Sequence, residues 1–268
     1  MLGRIRYNLR IYRKLQILHL RTHIEYEADF WIGIAGMALT HGAGFIFVWT
    51  LFSRVPTVVG WSLWEIAFLY ALSIIPRGLA EILCDGQWDL RMLVNHGEID
   101  RLLVRPISPV LQLITHDASV HGFGSVILGT MILLRALHEL NLSWNALHYI
   151  YLVVTLIGSV LLIGAINLAT NCIAFWDPAT NGPFPLAIFN FLEFTKFPLS
   201  IYDRLIQVLI TWVVPFAFVS YYPGTTLLGK QDANPWLGYI VPLAGPVVAI
   251  VSNLIWHYGL RRYQGTGH

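Results

Sequence analysis

The chain has 268 residues, of which 56% are hydrophobic and 12% charged, against about 25% charged for an average soluble domain. Its mean hydropathy of +0.61 places it among proteins that cross a membrane several times, and no polar stretch is long enough for a soluble catalytic domain. The net charge of +2 says little as a total, so the placement of its 17 basic and 15 acidic residues has to be read along the chain.

Residues 1–29 carry Arg4, Arg6, Arg10, Arg13, Lys14 and Arg21 with no acid before Glu25. Leu2, Ile5, Leu9 and Tyr12 recur at helical spacing, with most of the cations to one side. The pattern predicts an interfacial helix, its apolar face in the acyl boundary and its arginines among lipid phosphates; a frayed basic tail is the alternative. The long basic region and the following apolar run, which has no small-residue cleavage site, argue against a cleaved signal.

Apolar runs then predict membrane-spanning helices over residues 30–52, 61–84, roughly 119–134, 144–175 and 236–260. The third is short and is expected to draw on residues 111–117. A short loop, 138–143, separates it from the fourth. Trp31, Trp49, Trp61, Trp64, Trp144, Trp236 and Trp256 fall at predicted helix ends, as an aromatic belt would. Cys84 and Cys172 lie in or beside apolar runs and read as small buried hydrophobes rather than a disulfide or metal site.

Residues 183–230 hold two further apolar runs, 183–197 and 205–221, which allow six or seven spans. Six spans put eleven of the 17 Lys and Arg on the cytosolic side, including Arg91, Arg101, Arg105, Arg261 and Arg262, and leave Arg54, Arg135, Lys196, Arg204 and Lys230 outside. This bias favours six spans with both termini cytosolic. Residues 198–230 are then expected to form a re-entrant, extracytoplasmic element, with 205–221 broken by Pro215. The whole chain, 1–268, reads as one domain.

Little in the sequence offers chemistry of its own. No glycine-rich loop with Lys and Ser/Thr is present to cradle nucleotide phosphates. His19 and His23 stand one helical turn apart, but the remaining histidines are scattered. Arg77 and Glu81, one turn apart in the second span, are expected to pair, with Asp85 a further turn along the same face; Glu193 and Lys196 could pair likewise.

The polar segment, residues 85–109, differs from everything around it. Leu90, Val94, Ile99, Leu102 and Leu103 alternate with Arg91, Glu98, Asp100 and Arg101, Asn95-His96-Gly97 breaks the helix, and Pro106 and Pro109 stop it again. The pattern predicts a short helix, a turn and a second short helix at the cytosolic surface, either simply solvated or docked on a partner.

At this segment the chain resembles the permease subunits of type-2 ABC transporters, and more narrowly a branch of short bacterial permeases encoded beside an ATPase. The matching residues are Gly97-Glu98-Ile99-Asp100-Arg101-Leu102-Leu103-Val104-Arg105-Pro106, then Phe197-Pro198-Leu199-Ser200-Ile201-Tyr202, Val214-Pro215-Phe216-Ala217-Phe218 and Tyr222-Pro223. The resemblance implies an all-α membrane protein with six transmembrane helices, an N-terminal interfacial helix, a cytosolic coupling helix and a re-entrant hairpin before the last span. It implies that Gly97, Glu98, Asp100, Arg101, Arg105 and Pro106, approached from Trp88, meet an ATPase groove. It places Pro198, Tyr202, Pro215 and Pro223 in the re-entrant element.

The expectation is therefore a permease of a bacterial cytoplasmic membrane, exporting a hydrophobic or amphiphilic substrate. No cofactor is expected on this chain, since ATP and magnesium would sit on two copies of a partner ATPase. The other partners implied are a second permease, identical or related, and the lipid bilayer, with no nucleic acid. A lipid-modifying membrane enzyme and a non-transporting scaffold are the alternatives.

Overall fold

The computed structural model describes residues 2–25, 27–177, 183–231 and 234–263, without the side chains of residues 2–6, Leu9, His23, Ile24 and Pro235. Its regular elements are helical, and among the described residues the one β pairing is the isolated bridge between Val58 and Trp61. Helix α1 (Leu2–Glu25) is followed by α2 (Glu27–Phe52), α3 (Leu63–Cys84), the short α4 (Leu90–Asn95), α5 (Ile99–Leu103) and α6 (Pro109–Ile114). Then come α7 (His121–Leu140), α8 (Ala146–Asn171), α9 (Pro183–Asn190), α10 (Arg204–Val208), α11 (Tyr221–Leu228) and α12 (Pro235–Leu260).

Five of these, α2, α3, α7, α8 and α12, are long and apolar enough to cross a membrane, and a sixth candidate is the pair Arg204–Val213 and Phe216–Leu228, bent by 80°. The chain is thus an all-helical membrane protein. Helix α3 is the centre of the bundle, buried along most of its length and touching α2, α7, α8 and α11. Its start is fixed by Glu65, whose carboxylate accepts the Ser62 backbone N–H at 2.8 Å. Asn145 caps α8 by accepting from the N–H groups of Leu147 and His148.

Within lipid, helices gain little from hydrophobicity alone and associate where small residues let backbones approach. Gly78 and Gly122 provide such a crossing between α3 and α7: a Cβ on either would collide with the carbonyl oxygen of the other. Between α8 and α12 a Cβ on Gly245 would meet the Gly158 backbone in the same way.

Several expectations change. Helix α7 reaches spanning length by running on to Leu140, through the Arg135–Glu139 ion pair at 2.6 Å, while residues 109–114 form the separate α6. The expected short span at 183–197 is α9 passing into a 3-10 helix, Phe191–Lys196, bounded by Pro183 and Pro198. Lys196, counted on the outer side from its charge, is buried, its ammonium 5.2 Å from the Tyr70 ring of α3. Trp61 and Trp256 are not belt residues but fully buried, against Tyr221 and Phe175 respectively. Trp31, Trp49 and Trp236 are exposed.

Helix α1 also differs from a purely lipid-bound helix. The Tyr12 hydroxyl donates to the Leu83 carbonyl at 2.9 Å, and Gln16 Nε2 donates to the same oxygen at 3.0 Å. Tyr12 therefore faces the end of α3 rather than acyl chains, while Arg10, Arg13, Lys14 and Arg21 stay exposed. The side chains of Leu2, Arg4, Ile5, Arg6, Leu9 and His23 lie outside the described residues.

Candidate functional site

Beyond α3 the chain continues as a 3-10 helix, Asp85–Asp89, and then α4. It reverses at Gly97, whose φ of 70° is the left-handed conformation that glycine adopts without strain, and the Glu98 N–H returns to the Leu93 carbonyl at 2.9 Å. The expected helix, turn and second helix are therefore present. Their apolar residues do not float in solvent. Leu90, Leu93, Val94, Ile99 and Leu102 are buried in one cluster with Leu168, Phe175 and Trp256 from α8, its 3-10 extension and α12.

The opposite side is a ridge. Asp100, Arg101, Leu103, Val104, Arg105 and Pro106 are exposed, Val104 at 83%, while Gly97 and Glu98 are half-buried at its base. Trp88 is not part of the ridge: its ring packs edge-on against Phe189 at 5.4 Å. Gln112 of α6 ties the ridge down, its Nε2 donating to the carbonyls of Leu102 (2.9 Å) and Ile107 (3.1 Å). Asp89 Oδ2 and His116 Nδ1, 2.8 Å apart, fix the approach on the other side. That hydrogen bond, with the carboxylates of Asp89, Asp117 and Glu98 nearby, outweighs burial and raises the His116 pKa above its ordinary value.

A second group of charges lies within the bundle. Arg77 Nε meets Glu81 Oε1 at 3.1 Å, as the one-turn spacing predicts, and Glu193 Oε2 meets Lys196 Nζ at 2.5 Å. What the sequence does not reveal is that the two pairs are joined: Glu193 Oε1 also accepts from Arg77 Nη1 at 2.5 Å. The guanidinium lies 4.7 Å over the Phe189 ring. Arg77, Glu81 and Lys196 are largely buried, whereas the Glu193 side chain is 48% exposed. Asp85 is not a link in this chain; it opens the 3-10 helix within electrostatic reach of Glu81, Asp117 and Asp89.

Beside the charges, Ser73 and Thr195 hydroxyls are 2.8 Å apart, Ser220 donates to the Thr195 carbonyl, and Ser159 donates to the Val219 carbonyl at 3.2 Å. These hydroxyls satisfy backbone that leaves regular helix between 191 and 220, as a low-dielectric setting demands. The prolines follow the same irregular path. Pro198 precedes the 3-10 turn Leu199–Ile201, Pro215 sits at the break after the π-helical Leu209–Val213, and Pro223 is buried in the first turn of α11. Tyr202 packs edge-on against Phe194, and its carbonyl accepts from Gln207.

Six apolar helical candidates, a folded surface ridge and a paired charge cluster within the bundle are the setting for the comparison with known families. The family model described as ABC-2 family transporter protein matches residues 38–267. The chain belongs to this family. No curated protein and no solved structure matches it.

As an ABC-2 transporter protein the chain is a multi-pass membrane subunit of an ABC transporter, and the family implies an ABC ATPase as its partner. The match takes in the ridge, all four residues of the charge cluster and the bent 204–228 pair, and it leaves α1 and the start of α2 outside. Among the described residues, no three His, Cys, Asp or Glu side chains of this ABC-2 protein converge as metal ligands.

Proposed function

We propose that the chain is the permease of an ATP-driven exporter for a hydrophobic or amphiphilic substrate, and that its ATPase docks on residues 97–106. The observation that carries this reading is the two-sidedness of α5. Ile99 and Leu102 are locked into the bundle, while Asp100, Arg101, Val104 and Arg105 stand out from it. A force applied to the exposed side is passed through the buried cluster to the ends of α8 and α12, and through Asp85–Asp89 to α3. A packed interior transmits such displacement rather than absorbing it.

In this reading the ridge and both termini are cytosolic, in a bacterial cytoplasmic membrane, and α1 lies on the inner surface. Residues 183–197 supply the fifth of six crossings, and residues 198–230 form a re-entrant element toward the outer side. Two permeases, identical or related, sit on two ATPase subunits that hold ATP and magnesium. The pathway runs between the permeases, where the half-exposed Glu193 carboxylate meets water rather than hydrocarbon, as a charge at membrane depth requires.

The test is charge reversal on the ridge. Asp100→Arg and Arg101→Glu are expected to abolish transport and substrate-stimulated ATP hydrolysis by the co-expressed ATPase, with membrane insertion unchanged. Normal transport by both variants overturns the docking assignment. A chain that copurifies with no ATPase overturns the permease reading itself.

A further inference from the structure

Helix α1 has two unlike sides. Toward the bundle, the Tyr12 hydroxyl and Gln16 Nε2 both donate to the Leu83 carbonyl, at 2.9 and 3.0 Å. Leu83 lies in the last turn of α3, where the regular pairing of carbonyls along a helix gives out. The nearby Glu81 carbonyl is met from another direction, by the Ser119 N–H at 3.3 Å. Side chains of α1 therefore complete the end of the central helix, at the point where the chain leaves it for Asp85–Asp89.

The other side is open. At ~100° per residue, Arg10, Lys14 and Arg21 form one stripe roughly 160° around α1 from Tyr12 and Gln16. Arg13 and Ile17 lie along one edge of the stripe, Tyr7 and Leu18 along the other, and all seven residues are exposed. The sequence places no acid before Glu25.

Four cations on such a stretch call for an anionic surface, and the apolar residues on both edges say which kind. Ile17, Tyr7 and Leu18 fit acyl chains beside headgroups, rather than a soluble acidic protein or a nucleic acid. The level fits as well. Leu83 adjoins the end of a spanning helix, and α1 is followed directly by the spanning α2, with exposed Trp31 just over one turn from its start. Each Lys or Arg beside an anionic membrane surface is worth about fivefold in binding, so the three of the stripe act on the order of a hundredfold together.

We propose that this outward face binds anionic phospholipid headgroups, and that Tyr12 and Gln16 pass the anchorage on to the end of α3. Anionic lipid then sets how firmly α3 and Asp85–Asp89 are held at the base of the ridge. The lipid tether stands without the ATPase; its effect on hydrolysis rests on the docking reading above.

The experiment compares amide exchange of the full chain in nanodiscs of phosphatidylcholine alone and in nanodiscs that also contain phosphatidylglycerol. Phosphatidylglycerol is expected to slow exchange several-fold in residues 7–21 and again in residues 83–89. Salt at about 1 M, which shrinks the screening length to ~3 Å, should abolish both effects in the unaltered chain. Arg10→Gln, Lys14→Gln and Arg21→Gln together should do the same. Tyr12→Phe with Gln16→Leu should keep the slowing in α1 but lose it in residues 83–89.

Equal exchange in the two kinds of nanodisc overturns the lipid face. Slowing at 83–89 that survives in the Tyr12 and Gln16 variant overturns the tether. If the triple variant instead loses a co-expressed ATPase in detergent, the face is a protein contact and the proposal falls. With the ATPase bound, phosphatidylglycerol should raise its hydrolysis several-fold; no rise while exchange still responds overturns the role in coupling alone. A lipid response in a chain that copurifies with no ATPase supports the tether and overturns the permease reading.

Discussion

Arg77 Nη1 stands 2.5 Å from Glu193 Oε1, joining the central helix α3 to a 3-10 turn 116 residues later in the chain. The same guanidinium holds Glu81 through Nε at 3.1 Å. Charges at this depth persist because each has a partner, so removing one is worse than removing both. Arg77→Ala strands the buried Glu81 carboxylate and should destabilise the protein by about 3 kcal/mol. Arg77→Met with Glu81→Met removes both charges at similar volume and should recover most of that loss. Thermal unfolding in nanodiscs compares them, and a double variant as unstable as Arg77→Ala would contradict the paired arrangement.

The two sides of α5 should separate stability from coupling. Leu102 is 6% exposed, and Leu102→Ala is expected to cost about 2–5 kcal/mol, as other buried leucines do. Val104, 83% exposed, touches little, and Val104→Asp should change stability by no more than about 0.5 kcal/mol. On the docking reading, Val104→Asp should nevertheless lower ATPase stimulation. Thermal shift and ATP hydrolysis on the same preparations decide the matter; loss of stability in Val104→Asp would show the ridge to be packed rather than free.

The Asp89–His116 contact makes stability pH-dependent in a definite direction. The folded-state pKa of His116 is raised, so its protonated form is favoured by folding. The contribution is fully present below the ordinary histidine value of about 6.5 and is lost as pH rises through the raised folded value. Unfolding temperature should therefore fall as pH is raised across that window. His116→Gln and Asp89→Asn should each flatten the dependence, and a slope unchanged in both would assign it to other groups.

How much of this is legible in the sequence depends on the range of the interaction. Arg77 and Glu81 can be paired from their spacing, and the turn at Gly97 from its neighbours, because both are set by local helix geometry. The link from Arg77 to Glu193 leaves no local trace, since neither residue's neighbours predict the other. Trp61 and Trp256 mislead for a related reason: a tryptophan near a helix end reads as a belt residue unless Tyr221 or Phe175 is known to cover it. Lys196 is half legible: its spacing from Glu193 allows the pair, but charge counting assigns it to the outer side, and nothing local shows that it lies buried against the Tyr70 ring. The ridge itself was visible as alternating charged and apolar residues, but its attachment to α8 and α12 was not.

Gln112 offers a last test of that attachment. It is 5% exposed, and its amide gives both N–H groups to backbone carbonyls, of Leu102 at the end of α5 and of Ile107 in the following loop. Gln112→Leu preserves the size of the side chain but leaves two carbonyls to find water or remain unmet, at about 1–3 kcal/mol if buried. The loss falls on one short segment, so it should appear first as local opening rather than global unfolding. Amide exchange across residues 99–108 is expected to accelerate by about tenfold or more for a local loss near 1.4 kcal/mol. The long helices α3, α8 and α12 should exchange as before. If exchange rises equally in those helices, Gln112 supports the bundle as a whole, and the ridge is not a separately anchored unit.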